Sequence, residues 1–275
     1  MLDKFRNNGF IEFKNIFDDA LIEKWNSKLD FFYKNKKDKI ILDFTDNRVD
    51  KIGFEILQEF FNDKIKYIIS KLIPDPIILW AGSNEIPGNT KISHVNHNDI
   101  GGWHTDIGED LSFIDLKNPH YMTFFVYLTD VGPEDGPFEI TNVTKKREIN
   151  SSTSAKTLLG KKGTCFVWGN GFFHRAAPNY GNLRRRILKI QLQNNYLENS
   201  YIDKMKFFDN FLTNNDNYLN FLIGKKHSDS RRNWKIDCKI IEQNIEFAET
   251  YNKTSTKISL IKNIKIKIKN LLNAN

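Results

Sequence analysis

Between Pro76 and about residue 195 the chain is written in short apolar bursts separated by turn residues, and this texture limits its fold more than any other feature. Pro76-Ile77-Ile78-Leu79-Trp80-Ala81 reads as a buried strand, and Met122 to Thr129 is β-branched and aromatic. Gly132-Pro133-Glu134-Asp135-Gly136-Pro137 is a turn cluster. Gly163 to Trp168 and Arg186 to Leu192 are two further strand candidates.

Helical periodicity comes before this region. Residues 9–15 alternate like a short strand, after which Asp18-Asp19 cap a stripe formed by Leu21, Trp25, Leu29 and Phe32. One helical pattern runs from Phe54 to Leu72, where Pro74 and Pro76 end it. After Tyr196, Phe207-Phe208, Phe211-Leu212, Tyr218-Leu219 and Phe221-Leu222 return to helical spacing, and Ile240 to Phe247 does so weakly. The expected fold is mainly β with flanking helices: an N-terminal helical layer leading into an antiparallel barrel or jelly roll. We expect residues 1–200 to form that domain, and residues 201–275 to form a helical extension packed against the barrel or across its mouth.

Composition excludes several classes of function. No segment approaches the roughly 18 consecutive apolar residues of a membrane span. The opening, Met1 to Asn8, lacks the apolar stretch of a signal peptide. Cys165 and Cys238 form neither a disulfide framework nor a metal spacing. A cytoplasmic protein with reduced thiols is expected. The net charge of +7 invites a nucleic-acid partner, but Lys253, Lys257, Lys262, Lys265, Lys267 and Lys269 supply six of those charges with no acid among residues 253–275. The body therefore carries only +1, and no nucleic-acid partner is expected.

His104-Thr105-Asp106 and His174 are the residues with metal chemistry. On a strand, residues i and i+2 share a face, so His104 and Asp106 can reach one ion together while a facing strand brings His174. Two neutral imidazoles and one carboxylate leave open positions on a divalent ion, as in the facial triad of non-haem iron oxygenases. A His-x-Asp triplet arises readily by chance, and a lone histidine at a strand end is commonly structural. Gly101-Gly102 before the motif and Gly108 after it allow close backbone approach. A dicarboxylate co-substrate would also need a cation, and Arg184-Arg185-Arg186 follow His174 across a turn. Arg184 and Arg186 share a face with Leu188, Ile190 and Leu192, while Arg185 shares the more polar face of Ile187, Lys189 and Gln191. That parity favours Arg185 and leaves the other two open.

These residues resemble the phytanoyl-CoA dioxygenase family of iron(II)/2-oxoglutarate oxygenases. Trp103-His104-Thr105-Asp106 is similar to its Trp-His-x-Asp motif, and Asp130 to Ile140 is similar to its glycine-proline turn and strand. Phe172-Phe173-His174-Arg175-Ala176-Ala177-Pro178-Asn179 through Arg185 is similar to its His-x-x-x-Pro-Asn stretch with a following arginine. The likeness covers roughly residues 5–195. It implies a double-stranded β-helix (jelly roll), with His104, Asp106 and His174 as iron ligands and Arg185 on the distal carboxylate of 2-oxoglutarate. Trp103, Thr105 and Tyr127 are expected in the lining that holds the co-substrate, with Lys91 and Gln191 as further candidates by position. The partners implied are 2-oxoglutarate, O2 and a small-molecule substrate, and the reaction is hydroxylation or another oxidation of a C–H bond. The carboxylate of Asp106 argues against halogenation, since related halogenases put a small residue there. The chain departs from the family at Asn142-Val143-Thr144-Lys145-Lys146, where a proline, a glycine and a histidine of the usual loop are missing.

Two other readings were weighed. A cupin-like jelly roll would bind metal and act as an isomerase or sugar-binding module without 2-oxoglutarate. A binding module would use the basic C-terminal tail, whose residues 259–272 fit an amphipathic helix able to lie on anionic lipid as well as an alternating strand. His94 and His97 fit a surface loop better than a pocket lining.

Overall fold

The computed structural model describes residues 2–34, 40–73, 76–91, 101–106, 121–141, 143, 145–150, 153–169, 171–194, 217–223 and 246–247. A short helix, α1 (Leu2–Asn8), leads into strand β1 (Phe10–Lys14). Helix α2 (Asp19–Tyr33) starts where the sequence places it, with the Asp18 carboxylate accepting from the Leu21 N–H at 2.7 Å. Such a cap contributes about 1 kcal/mol. Asp18→Ala should therefore lower the unfolding free energy by about that amount in a urea titration, and unchanged stability would contradict the assignment.

The single helix expected from Phe54 to Leu72 is two helices. After β2 (Ile40–Asp43), α3 (Asp50–Phe60) ends before Asn62, whose side-chain oxygen accepts from the Ile65 N–H at 3.0 Å and starts α4 (Asp63–Leu72). An asparagine inside a continuous apolar stripe is a restart signal that periodicity alone does not register.

The strands that follow are β3 (Pro76–Ile86), β4 (Tyr121–Tyr127), β5 (Phe138–Thr141), β6 (Ala155–Leu158), β7 (Cys165–Gly169), β8 (His174–Ala176) and β9 (Arg185–Asn194). Among the described residues they form two antiparallel sheets, together with a short β10 (Glu246–Phe247). One has the order β10-β1-β7-β4-β9-β3-β2 and the other β6-β5-β8. This is the expected double-stranded β-helix, or jelly roll. β3 continues through Gly82 to Ile86, further than the six residues read as a strand from the sequence.

Alternation along the central strands divides the core in two. Met122, Phe124 and Val126 of β4, with Leu188, Ile190 and Leu192 of β9, face Trp25, Leu29, Leu57, Phe60, Ile65 and Ile68 of the helical layer. Phe125, Tyr127, Phe166, Trp168 and Ile187 point the other way, into the barrel, against Phe138, Ile140 and Leu158 of the small sheet. A strand buried on both faces reads as a continuous apolar run, which explains the look of Met122 to Tyr127.

A helix α5 (Asn217–Leu222) buries Tyr218, Leu219, Leu222 and Ile223 in the same core. Ile240 to Phe247 was read as weakly helical, but Glu246 and Phe247 pair with Lys14 and Phe13 as β10. The open edge of β1 offers backbone partners that periodicity does not reveal. The basic tail, residues 207–212, His94, His97 and Cys238 lie outside the described residues. No helix of the described residues is long and apolar enough to cross a membrane.

Candidate metal and co-substrate site

His174 opens β8 and lies opposite Ile140 of β5. Residues 103–106 do not form the regular strand expected of them. His104 makes a single bridge to His174, with reciprocal backbone bonds of 3.1 and 2.9 Å, and Asp106 sits on a bend two residues on. The bridge is what joins two distant stretches of sequence, and it sets the imidazole centroids 4.5 Å apart.

Each histidine is oriented by a main-chain carbonyl two residues upstream. His104 Nδ1 lies 2.9 Å from Gly102 O, and His174 Nδ1 lies 2.9 Å from Phe172 O. A carbonyl oxygen only accepts, so both Nδ1 atoms carry hydrogen and each neutral ring offers Nε2 as a ligand. Gly101 and Gly102 have φ of 61° and 84°, so the turn that supplies the Gly102 carbonyl uses backbone conformations that glycine favours. One ligand atom from each of His104, Asp106 and His174 falls within 4.8 Å of the others. His174 Nε2 lies 3.6 Å from Asp106 Oδ2.

The charge states suit a divalent cation. Burial, and then the neighbouring charge of His174, push His104 down to about 3, against the opposing effect of the Gly102 hydrogen bond. At neutral pH its ring is therefore uncharged. Burial pushes the Asp106 carboxyl upward, but Lys189 and the two histidines more than offset this and hold it well below the ordinary carboxylate range. His104 and Asp106 are thus already in the forms that bind a metal.

Ion pairing separates the three arginines. Arg186 donates from Nε to Glu85 at 2.8 Å, and its Nη2 lies 2.7 Å from the same carboxylate. Arg184 reaches the other oxygen of Glu85 at 2.7 Å. Both therefore face the helical layer. Arg185 faces the barrel interior and is 2% exposed. Its Nη1 donates to Gly136 O at 2.6 Å, its guanidinium lies 5.5 Å from the Phe125 ring, and its Nε has no partner among the described residues. Among the described residues it pairs with no carboxylate, and burial lowers it to about 10. The turn at Gly136, with φ of 66°, thus holds the arginine that the sequence places after it. The Trp168 indole N–H is a second buried donor without an acceptor among the described residues, on a ring 5.7 Å from Phe125 and 5.3 Å from His174.

The remaining candidates separate as clearly. The Tyr127 hydroxyl donates to Leu158 O at 2.8 Å and accepts from Phe138 N–H at 3.0 Å, so its single proton is engaged within the fold. Trp103 is buried under the Arg175 guanidinium, 4.5 Å from the ring. Arg175 also reaches Gly101 O at 2.8 Å and Glu139 at 2.7 Å, so it fastens the His104 turn to the small sheet. Thr105 is half-buried between the two motif ligands, and Lys91 is exposed. Gln191 is at the site, donating to Asp106 Oδ2 at 3.0 Å. Lys189, also at the site, is the residue that sequence reasoning passed over. In the sequence it is only one member of the polar face shared with Arg185.

The crystal structure of HygX from Streptomyces hygroscopicus with nickel and 2-oxoglutarate bound is similar at TM-score 0.55 and 16% identity, covering 71% of this chain and 86% of that one. The non-heme alpha-ketoglutarate-dependent epimerase SnoN from nogalamycin biosynthesis is similar at 0.51 and 11%, covering 70% and 81%. EctD from S. alaskensis in its apoform is similar at 0.50 and 14%, covering 73% and 79%. At these identities the likeness is one of fold. No curated protein matches the chain. The family model described as phytanoyl-CoA dioxygenase (PhyH) matches residues 5–187, more than half of the sequence and the whole stretch from β1 to the interior arginine. The chain belongs to the phytanoyl-CoA dioxygenase family.

Proposed function

We propose that the protein is an iron(II)- and 2-oxoglutarate-dependent dioxygenase that hydroxylates or otherwise oxidises a C–H bond of a small molecule. The observation that carries this reading is the cluster of His104, Asp106 and His174, with both Nδ1 atoms tied to carbonyls so that Nε2 is the nitrogen each neutral ring offers a metal. Two nitrogens and one carboxylate fit iron(II) with positions left for a co-substrate and O2. The unpaired cation of Arg185 and the unaccepted N–H of Trp168 in the same barrel support a carboxylate ligand over a cupin-type site without 2-oxoglutarate.

Each residue then has a stated task. His104, His174 and Asp106 hold the metal, and Arg185 binds the distal carboxylate of 2-oxoglutarate. Phe125, Phe138, Phe166 and Trp168 wall the interior and keep water from it. With iron, 2-oxoglutarate and O2 bound, the site supplies the oxidant that takes substrate to oxidised product while 2-oxoglutarate gives succinate and carbon dioxide. The 2-oxoglutarate and nickel bound in one HygX structure and the iron bound in another support this choice of co-substrate and metal.

Arg185→Leu should raise the KM for 2-oxoglutarate by roughly two orders of magnitude, since truncating one partner of a buried charge pair costs 2–5 kcal/mol. Arg185→Lys should recover only part of that, because lysine lacks the two-pronged donor geometry. Arg184→Ala should leave the KM within about threefold. A normal KM in Arg185→Leu, measured by succinate release, would reassign the co-substrate cation. The experiment for the function as a whole is a turnover screen of anaerobically iron-loaded protein against metabolite pools, read as substrate-stimulated succinate.

A further inference from the structure

Lys189 stands on the interior face of β9, with its side chain 17% exposed. Its Nζ lies 3.1 Å from Asp106 Oδ1 and 3.0 Å from Oδ2, so one ammonium engages both oxygens of the carboxylate. The same nitrogen sits 6.0 Å from the ring centroids of both Trp80 and Trp168. Gln191, next on the same face, gives Oδ2 a further hydrogen bond at 3.0 Å. The carboxylate that belongs to the metal triad is thus already satisfied by a cation of the protein itself.

We propose that Lys189 is a built-in competitor for the metal, pairing with Asp106 in the metal-free protein and setting how tightly a divalent ion is held. The inference rests on the metal reading of the triad. It follows from two costs that act in the same direction. A metal that takes an Asp106 oxygen weakens a charge-assisted pair in a largely buried setting, where such a pair is worth more than on the surface. It also comes to rest beside a like charge. Without Lys189 both costs disappear, and the metal-free state is left with a buried carboxylate lacking a counter-charge. The apoprotein then loses stability and metal binding recovers it, so affinity for the ion rises. A lysine that only oriented Asp106 for coordination would give the opposite sign, because its loss would loosen a ligand and weaken binding.

The test uses the full chain stripped with chelator and titrated with cobalt(II), followed by visible absorption and calorimetry, with thermal melting before and after loading. Lys189→Met should bind cobalt(II) at least about tenfold more tightly than the wild type and melt lower only in the metal-free state. Lys189→Arg, which keeps the charge, should stay within about threefold of the wild type. Gln191→Leu removes a neutral donor only and should do the same. Equal or weaker binding by Lys189→Met overturns the proposal. If that variant does not fold, Asp106→Asn/Lys189→Met removes both partners and should melt no lower than Asp106→Asn alone. A double variant that melts lower than Asp106→Asn overturns the coupling. Absence of cobalt binding by the wild type itself overturns the metal reading, and this inference with it. Wild-type binding followed by failure of Lys189→Met to tighten overturns only the latter.

Discussion

His174→Ala is expected to abolish 2-oxoglutarate turnover, lowering succinate formation by more than about a hundredfold, since changes merely behind a metal ligand already cost 10–100-fold. In the proposed site its ring is one of two nitrogen ligands, and among the described residues His104 is the other histidine of the cluster. The substitution spares the backbone bridge to His104, which uses only main-chain atoms. It does remove a buried ring stacked 5.3 Å from Phe138 and packed 5.3 Å from Trp168, so some stability is lost as well. Circular dichroism and a metal titration on the same sample separate the two effects. A folded variant that still binds metal and turns over 2-oxoglutarate would remove His174 from the site.

Glu85→Ala should be the most damaging change outside the site, costing about 3–5 kcal/mol. Glu85 is 2% exposed and serves Arg184 and Arg186 together, joining β3 to β9 beneath helix α2. Arg186 is 7% exposed at its side chain, so removing the carboxylate leaves a buried guanidinium with Asp30, Asn26 and the Tyr33 ring as its partners among the described residues. Arg184 is 43% exposed, and its share of the loss is small. For a domain of this size the effect corresponds to a fall in Tm of roughly 10 °C. Glu85→Gln, which keeps the shape and part of the hydrogen bonding, should fall in between. A loss below about 1 kcal/mol by denaturant titration would show that the buried pair is not essential to the fold.

The sequence carried the fold wherever pattern and burial coincide. β1, β4, β7 and β9 fall where alternation or doubly buried runs place them, and Asp18 caps where an acid precedes an apolar stripe. It failed where a local competitor acts against a period. Asn62 splits one apolar stripe into two helices, and the free edge of β1 takes Glu246 and Phe247 as a strand. Within the motif departure at residues 142–146, Val143 O accepts from the Phe173 N–H at 3.0 Å, next to His174.

The site was legible to the extent that its chemistry lies in short motifs. His104, Asp106 and His174 converge as their spacing and resemblance imply, although through one bridge and a bend instead of a strand. Face parity set Arg185 apart from its two neighbours, and the structure likewise buries it in the barrel while Arg184 and Arg186 share Glu85. Parity could not show that the Tyr127 proton is engaged by Leu158, nor that Trp103 lies beneath Arg175, because both depend on contacts distant in sequence. Lys189 was hidden for a related reason. A lysine on a polar strand face is ordinary until a carboxylate from another part of the chain is laid against it.

The most direct measurement is anaerobic addition of iron(II) and 2-oxoglutarate to the metal-free protein, followed by visible absorption. A keto acid chelating iron beside His104, Asp106 and His174 gives a weak charge-transfer band. The account predicts that band in the wild type, its loss in His174→Ala, and its appearance in Arg185→Leu only at raised 2-oxoglutarate. No band at any concentration, together with no succinate from any substrate pool, would contradict it.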